Sequence, residues 1–125
     1  MFSALIIDNA SGAEQIRSAL DSAEFEVTST ANAEEAVELA RSTPPDIIFL
    51  QVELPKASGF VVCNELRRGD TTKYIPLIVY ASGLPPEVFR QHEKLQTRAD
   101  AYLSLPMTDR ALLEAVASLI PLALP

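Results

Sequence analysis

Four apolar runs in this chain lead directly into residues that could do chemistry. Residues 4–7 lead into Asp8 and Asn9, and residues 47–50 into Gln51, with Glu53 two places on. Residues 76–80 lead into Ala81 and Ser82, and residues 101–105, ending in Leu105, into Pro106. A carboxylate such as Asp8 or Glu53 can hold a hard dication or act as an oxygen nucleophile. The Gln51 carboxamide carries no charge and is a poor nucleophile. A hard dication also needs enough charged oxygen to repay its dehydration. One aspartate beside two neutral amides supplies little, and Glu53, two residues along a loop, points elsewhere. The residues therefore predict no cofactor and no working Mg²⁺ site.

Two other residues stand alone in type. His92 is the single histidine and Cys63 the single cysteine. Cys63 can form no internal disulfide and has no companions for a zinc site, so it reads as a small apolar residue on a helix. His92 shares a helical stripe with Val88 and Leu95. One reading is a partly buried ring with one nitrogen satisfied. The other pairs it with Tyr102 as a partner-binding anchor, since aromatic groups with polar tips dominate hot spots. A lone histidine on an apolar stripe lacks the exposure that proton-transfer chemistry asks for.

The elements that must position these residues alternate between strand and helix. Ser11 with Glu14 resembles a capping box and predicts a first helix over roughly residues 12–23. Residues 25–28 alternate as an edge-like second strand. Asn32 with Glu35 predicts the start of a second helix carrying Ala36, Val37 and Ala40, which Pro44-Pro45 ends. Ser58 can cap a third helix with the stripe Phe60, Cys63 and Leu66, and Arg67-Arg68 suit the negative pole at its end. Pro85-Pro86 fit the start of a fourth helix. Thr108 and Asp109 open a fifth, bearing Leu112, Val116 and Ile120. Five strands alternating with five helices call for a doubly wound parallel sheet covered on both faces, because each right-handed crossover lays a helix across it. In such sheets the functional edge lies beyond the carboxyl ends of the strands.

Composition bounds the partners. A chain of 125 residues with 48% apolar and 22% charged residues suits one globular domain. The net charge of −7 and the lack of a Lys/Arg cluster argue against nucleic acid. No apolar stretch approaches the ~20 residues that cross a membrane. No signal peptide is visible, since the start lacks a basic region. These features predict a cytoplasmic setting. Residues 1–120 are expected to form the domain, and residues 121–125 a tail or the start of a linker.

An ordered set of these features is similar to the receiver domain of two-component response regulators. It comprises the acidic tip at Asp8, the strand ending at Gln51, Pro55 and Gly59 beyond it, the strand ending at Ala81, and the segment from Ala99 to Pro106. The resemblance spans nearly the whole chain. It implies a bacterial, flavodoxin-like fold of strand order 2-1-3-4-5, with no enzyme activity of its own. It also implies that an aspartate accepts a phosphoryl group where Gln51 stands. A second acid is usual at Asn9, a hydroxyl residue at Ala81 (Ser82 falls one place late), and a lysine at Leu105. The peptide bond before Pro106 is expected to be cis. The departures agree with one another, since a pocket with less negative charge has less need of lysine.

The chain thus reads as a degenerate receiver, a phosphorylation-independent signalling or localisation module. Residues 89–95 and 99–102 resemble a degenerate receiver from gliding-motility signalling. Partners are expected to be other signalling proteins, met through the face formed by helix four, strand five and helix five, with His92 and Tyr102 on it. The alternative is a receiver in a phosphorelay, phosphorylated on another carboxylate such as Glu53 or Asp8. A flavodoxin-like small-molecule binder shares the architecture, but the chain lacks a phosphate-cradling glycine loop.

Overall fold

The computed structural model describes residues 1–124 and contains a single five-stranded sheet. The strands are β1 (Phe2–Ile7), β2 (Phe25–Thr30), β3 (Ile47–Gln51), β4 (Leu77–Ser82) and β5 (Ala101–Leu105). The helices are α1 (Ala10–Leu20), α2 (Ala33–Ser42), α3 (Gly59–Arg68), α4 (Pro86–Glu93) and α5 (Asp109–Ala117), and a short 3-10 turn, Asp21–Ala23, follows α1. The strand order is β2-β1-β3-β4-β5 and every pairing is parallel. This is the flavodoxin-like arrangement that the alternation and the resemblance lead one to expect.

The runs in β1, β3 and β4 are apolar at successive residues because both faces of the sheet are covered. One face packs Leu5, Ile7, Ile48, Leu50 and Val79 against α2, α3 and α4. The other packs Ile6, Phe49, Ile78 and Tyr80 against α1 and α5. β2 lies at an edge and alternates half-buried with exposed positions, so its sequence alternates too.

Three of the expected helix starts are made as read. Asn32 Oδ1 accepts from Glu35 N, Ser58 Oγ from Phe60 N, and Thr108 Oγ1 from Ala111 N. The first helix differs. Its cap is Asn9, whose Oδ1 accepts from Gly12 N at 2.8 Å, so Ala10 and Ser11 already lie inside α1. An asparagine two places ahead of the serine satisfies the free amide first. The fourth helix also differs. α4 ends at Glu93, and it buries Phe89 and His92 and leaves Leu95 beyond its end and exposed.

Leu119, Leu122 and Leu124 pack, partly buried, against the core beneath α1 and α5. Pro125, the last residue of the expected tail, lies outside the described residues. No helix among the described residues is long and apolar enough to cross a membrane.

Candidate functional site

Asp8, Gln51 and Tyr80 meet at the carboxyl edge of the sheet. Ile7 pairs with Leu50, so Asp8 stands next to Gln51, and Gln51 pairs with Tyr80. Side chains alternate along strands. Phe49 faces α1 and α5, so Gln51, two residues on, starts from that same face, as do Asp8 and Tyr80. Asp8 is buried, 3% exposed. Its Oδ2 accepts from the Tyr80 hydroxyl at 2.6 Å, and its Oδ1 accepts from Asn9 N at 2.6 Å. Burial, and then the bond and charge of Asp8, push the Tyr80 phenol far above its usual range.

The neighbouring positions are occupied but do not converge on Asp8. The Asn9 side chain is spent on the helix cap. Gln51 Oε1 turns to its own loop, where Glu53 N donates to it at 3.3 Å. The Glu53 backbone therefore meets Gln51, while the Glu53 residue is exposed and bridges Ser58 in the loop. That loop returns tightly, with Gly59 N donating to Val52 O at 2.7 Å. Ala81 is buried in the core beneath α2, α3 and α4, and Ser82 is exposed at the strand tip beside Leu105. The Leu105–Pro106 bond is cis, as the resemblance implies. No group of three or more His, Cys, Asp or Glu that could hold a metal ion occurs among the described residues. A hollow of about 610 Å³ lies beside this edge, between the start of α2 and α3, and is lined by Leu54, Pro55, Val61 and Glu65 among others.

A second cluster lies on the opposite face and does bring His92 and Tyr102 together. The Tyr102 hydroxyl meets His92 Nδ1 and accepts from Ala99 N at 2.9 Å. His92 Nε2 meets Asn64 Oδ1 at 2.8 Å, and that oxygen also accepts from Thr97 Oγ1 at 2.6 Å. An amide oxygen cannot donate, so Nε2 carries the proton and Nδ1 accepts from the phenol. Phe60 stacks on the imidazole at 4.8 Å, and Phe89 lies 5.5 Å from the Tyr102 ring. His92 is buried, with both nitrogens satisfied, and it touches Tyr102. Asn64, Thr97 and Phe60 in this cluster, and Tyr80 beside Asp8, are residues that the sequence does not single out as functional. Phe60 and Asn64 lie four apart on α3, which is a usable signal, whereas Tyr80 shares a face with residue 51 only through the strand register. Cys63 is buried, its thiol donating to Thr97 O at 3.3 Å, and burial pushes it up to about 11. Burial likewise pushes the Tyr102 phenol up to about 12.

Burial lowers His92 from its ordinary 6.5. The folded protein holds it neutral, while the unfolded chain takes up a proton near 6.5. Above 6.5 both states are neutral and the residue adds no pH dependence. Below it the unfolded state binds more protons, so stability falls until the pH reaches the folded value. Wild type should therefore lose stability relative to His92→Gln as pH drops from 7.5 to 5.5, by at most about 1.4 kcal/mol per pH unit. Urea midpoints at several pH values check this; parallel curves for the two proteins would refute it.

Comparison with known proteins matches residues 4–117 to the response regulator receiver domain family. The chain is 30% identical over 115 residues to the polar-differentiation response regulator DivK of Brucella anthropi, covering 91% of each. It is similar to the chemotaxis protein CheY4 of Vibrio cholerae, with a TM-score of 0.85, 25% identity, and coverage of 96% of this chain and 99% of that one. The receiver domain of the histidine kinase PA1611 of Pseudomonas aeruginosa, solved with a magnesium ion in its active-site cleft, shares the fold. Its TM-score is 0.82 at 24% identity, over 96% of this chain and 98% of that one. The named relatives are thus polar-differentiation and chemotaxis proteins rather than the gliding-motility receiver suggested by residues 89–95 and 99–102. Two short segments weigh little against a match over the whole fold.

Proposed function

The chain belongs to the response regulator receiver domain family, and from that premise we propose that it signals without being phosphorylated, by presenting a surface to other signalling proteins. As a receiver it is a signalling module of two-component systems. The observation that carries the finer reading is the tip of β3. The residue there is a carboxamide, and the aspartate beside it has both oxygens engaged within the protein. A magnesium ion like that in the kinase receiver does not fit this edge. Asn9 is spent on a cap, Gln51 is uncharged, Ala81 offers no hydroxyl and Leu105 no cation.

The surface for partners is the one formed by α4, β5 and α5. There Tyr102 and His92 tie β5, α4 and α3 into one rigid unit. A partner that reads this face meets a surface ordered in advance, which lowers the cost of binding. A cytoplasmic setting accords with a partner of this class.

Incubating the protein with Mg²⁺ and acetyl phosphate, or with beryllofluoride, tests the reading. No phosphoryl adduct is expected by mass. Gln51→Asp alone should also stay unmodified, because Asn9, Ala81 and Leu105 still withhold the second acid, the hydroxyl and the lysine. A stoichiometric, acid-labile adduct on wild type, at Glu53 or Asp8, would overturn it in favour of a phosphorelay receiver.

A further inference from the structure

We infer that Tyr80 is a built-in plug that closes the carboxyl-edge pocket to cations. This rests on the phosphorylation-independent reading and identifies a residue that keeps the pocket shut. Tyr80 stands on β4 and Asp8 at the end of β1, with β3 between them. Neighbouring strands lie about 4.8 Å apart, so the two backbones are separated by roughly 10 Å. A hydrogen bond of 2.6 Å across that gap requires the phenol to lie over the tip of β3. That is the face from which the Gln51 side chain starts, and Gln51 Oε1 is bonded instead to its own loop.

Asp8 is closed from its other sides as well. Asn9 N holds Oδ1. At Gly12 a Cβ would fall 2.0 Å from Asp8 Oδ2, so α1 leaves no room there. The aspartate is 3% exposed and Tyr80 1%. A buried carboxylate needs donors, and here the protein supplies them from within. Every buried side-chain nitrogen and oxygen among the described residues has a partner, so the site asks for no ligand. A cation could reach Asp8 Oδ2 only by breaking the phenol bond and displacing a ring from the core.

The test is Mg²⁺ titration by calorimetry of N9D/Q51D, N9D/Q51D/Y80F and N9D/Q51D/Y80V. Aspartate caps a helix as well as asparagine, so the N9D change keeps α1. Tyr80→Val clears the ring, and Tyr80→Phe removes only the hydroxyl and preserves packing should the smaller residue unfold the domain. The double variant, plug intact, is expected to bind Mg²⁺ at least ten-fold more weakly than the Y80V triple variant, with Y80F between them. Equal affinities in all three, or no binding in any, would remove Tyr80 as the gate. Either result leaves the wild-type phosphorylation experiment untouched, and a wild-type adduct would leave the ranking of these variants as measured.

Discussion

Arg67→Ala is expected to cost the fold roughly 3–4 kcal/mol, a large fraction of the 5–15 kcal/mol typical of a domain. The side chain is 10% exposed and touches four acceptors. Its Nε donates to Arg98 O at 2.9 Å, and its terminal nitrogens donate to Lys73 O at 3.0 Å, Ile75 O at 2.9 Å and Asp100 Oδ2 at 2.8 Å. Asp100 Oδ2 also accepts from Leu77 N at 2.8 Å, so one guanidinium fastens the end of α3 to the starts of β4 and β5. Hydrogen bonds to a charged group contribute about 1.5–3 kcal/mol each in favourable cases. Asp100 is 40% exposed and can recover water, which keeps the total in the lower part of the range for a broken buried pair. Arg67→Lys should recover only part of the loss, since an ammonium lacks the planar fork that meets several acceptors. Arg90→Ala is the control. Its pair with Glu87 is 61% and 66% exposed, and an exposed pair within one helix contributes at most about 0.5 kcal/mol. Urea unfolding ranks the three variants, and an Arg67→Ala midpoint equal to that of Arg90→Ala would refute the clamp.

That residue also marks where the sequence stopped being legible. Arg67 at the end of α3 reads as a complement to the helix dipole. Its acceptors come from residues 73, 75, 98 and 100, and nothing local announces them. The strands were legible because a parallel sheet buried on both faces writes itself as apolar runs, and β1, β3 and β4 each end within two residues of where those runs stop. The caps at Asn32, Ser58 and Thr108 were legible because a cap is a contact over two or three residues. The first cap was misread because Asn9 and Ser11 both qualify by type, and only the geometry of Gly12 N chooses between them. Of the stripe Val88, His92 and Leu95, His92 alone is buried. α4 is short, and Phe89, buried between Phe60 and Tyr102, sets its inner face.

The candidate site divides the same way. The uncharged tip at Gln51 and the lone aspartate could be read from residue types in order along the chain. Tyr80 could not be singled out, because inside an apolar run an aromatic residue looks like core. Its hydroxyl becomes visible only once register places it two strands from Asp8. His92 and Tyr102 were paired from the sequence, but Asn64 and Thr97, which fix the imidazole tautomer, lie on separate elements.

Gly59→Ala is expected to be as damaging as the loss of Arg67, for a different reason. Gly59 opens α3, where alanine ordinarily favours a helix by about 1 kcal/mol over glycine. Here a Cβ would fall 2.2 Å from Gln51 O and 2.8 Å from Val52 Cα. Both are β3 backbone or its immediate continuation, held by the ladder to β4 and by the 3.1 Å bond from Val52 N to Tyr80 O. A side-chain neighbour could swing away, but this one can move only if the sheet edge moves. Overpacking against mobile side chains costs about 1–3 kcal/mol, so a clash with fixed backbone belongs at or above the top of that range, after outweighing the helix gain. At a urea slope of about 2 kcal/mol per molar, a loss of roughly 3 kcal/mol lowers the midpoint by about 1.5 M. The same approach explains why a glycine stands eight residues beyond Gln51. The loop leaving the strand tip must turn back and lay the start of α3 directly on the strand it has just left. If Gly59→Ala unfolds within 0.3 M of wild type, the loop is yielding enough to take a side chain. The strand tip would then be free to move, and the rigid edge on which the Asp8 and Tyr80 geometry depends would have to be given up.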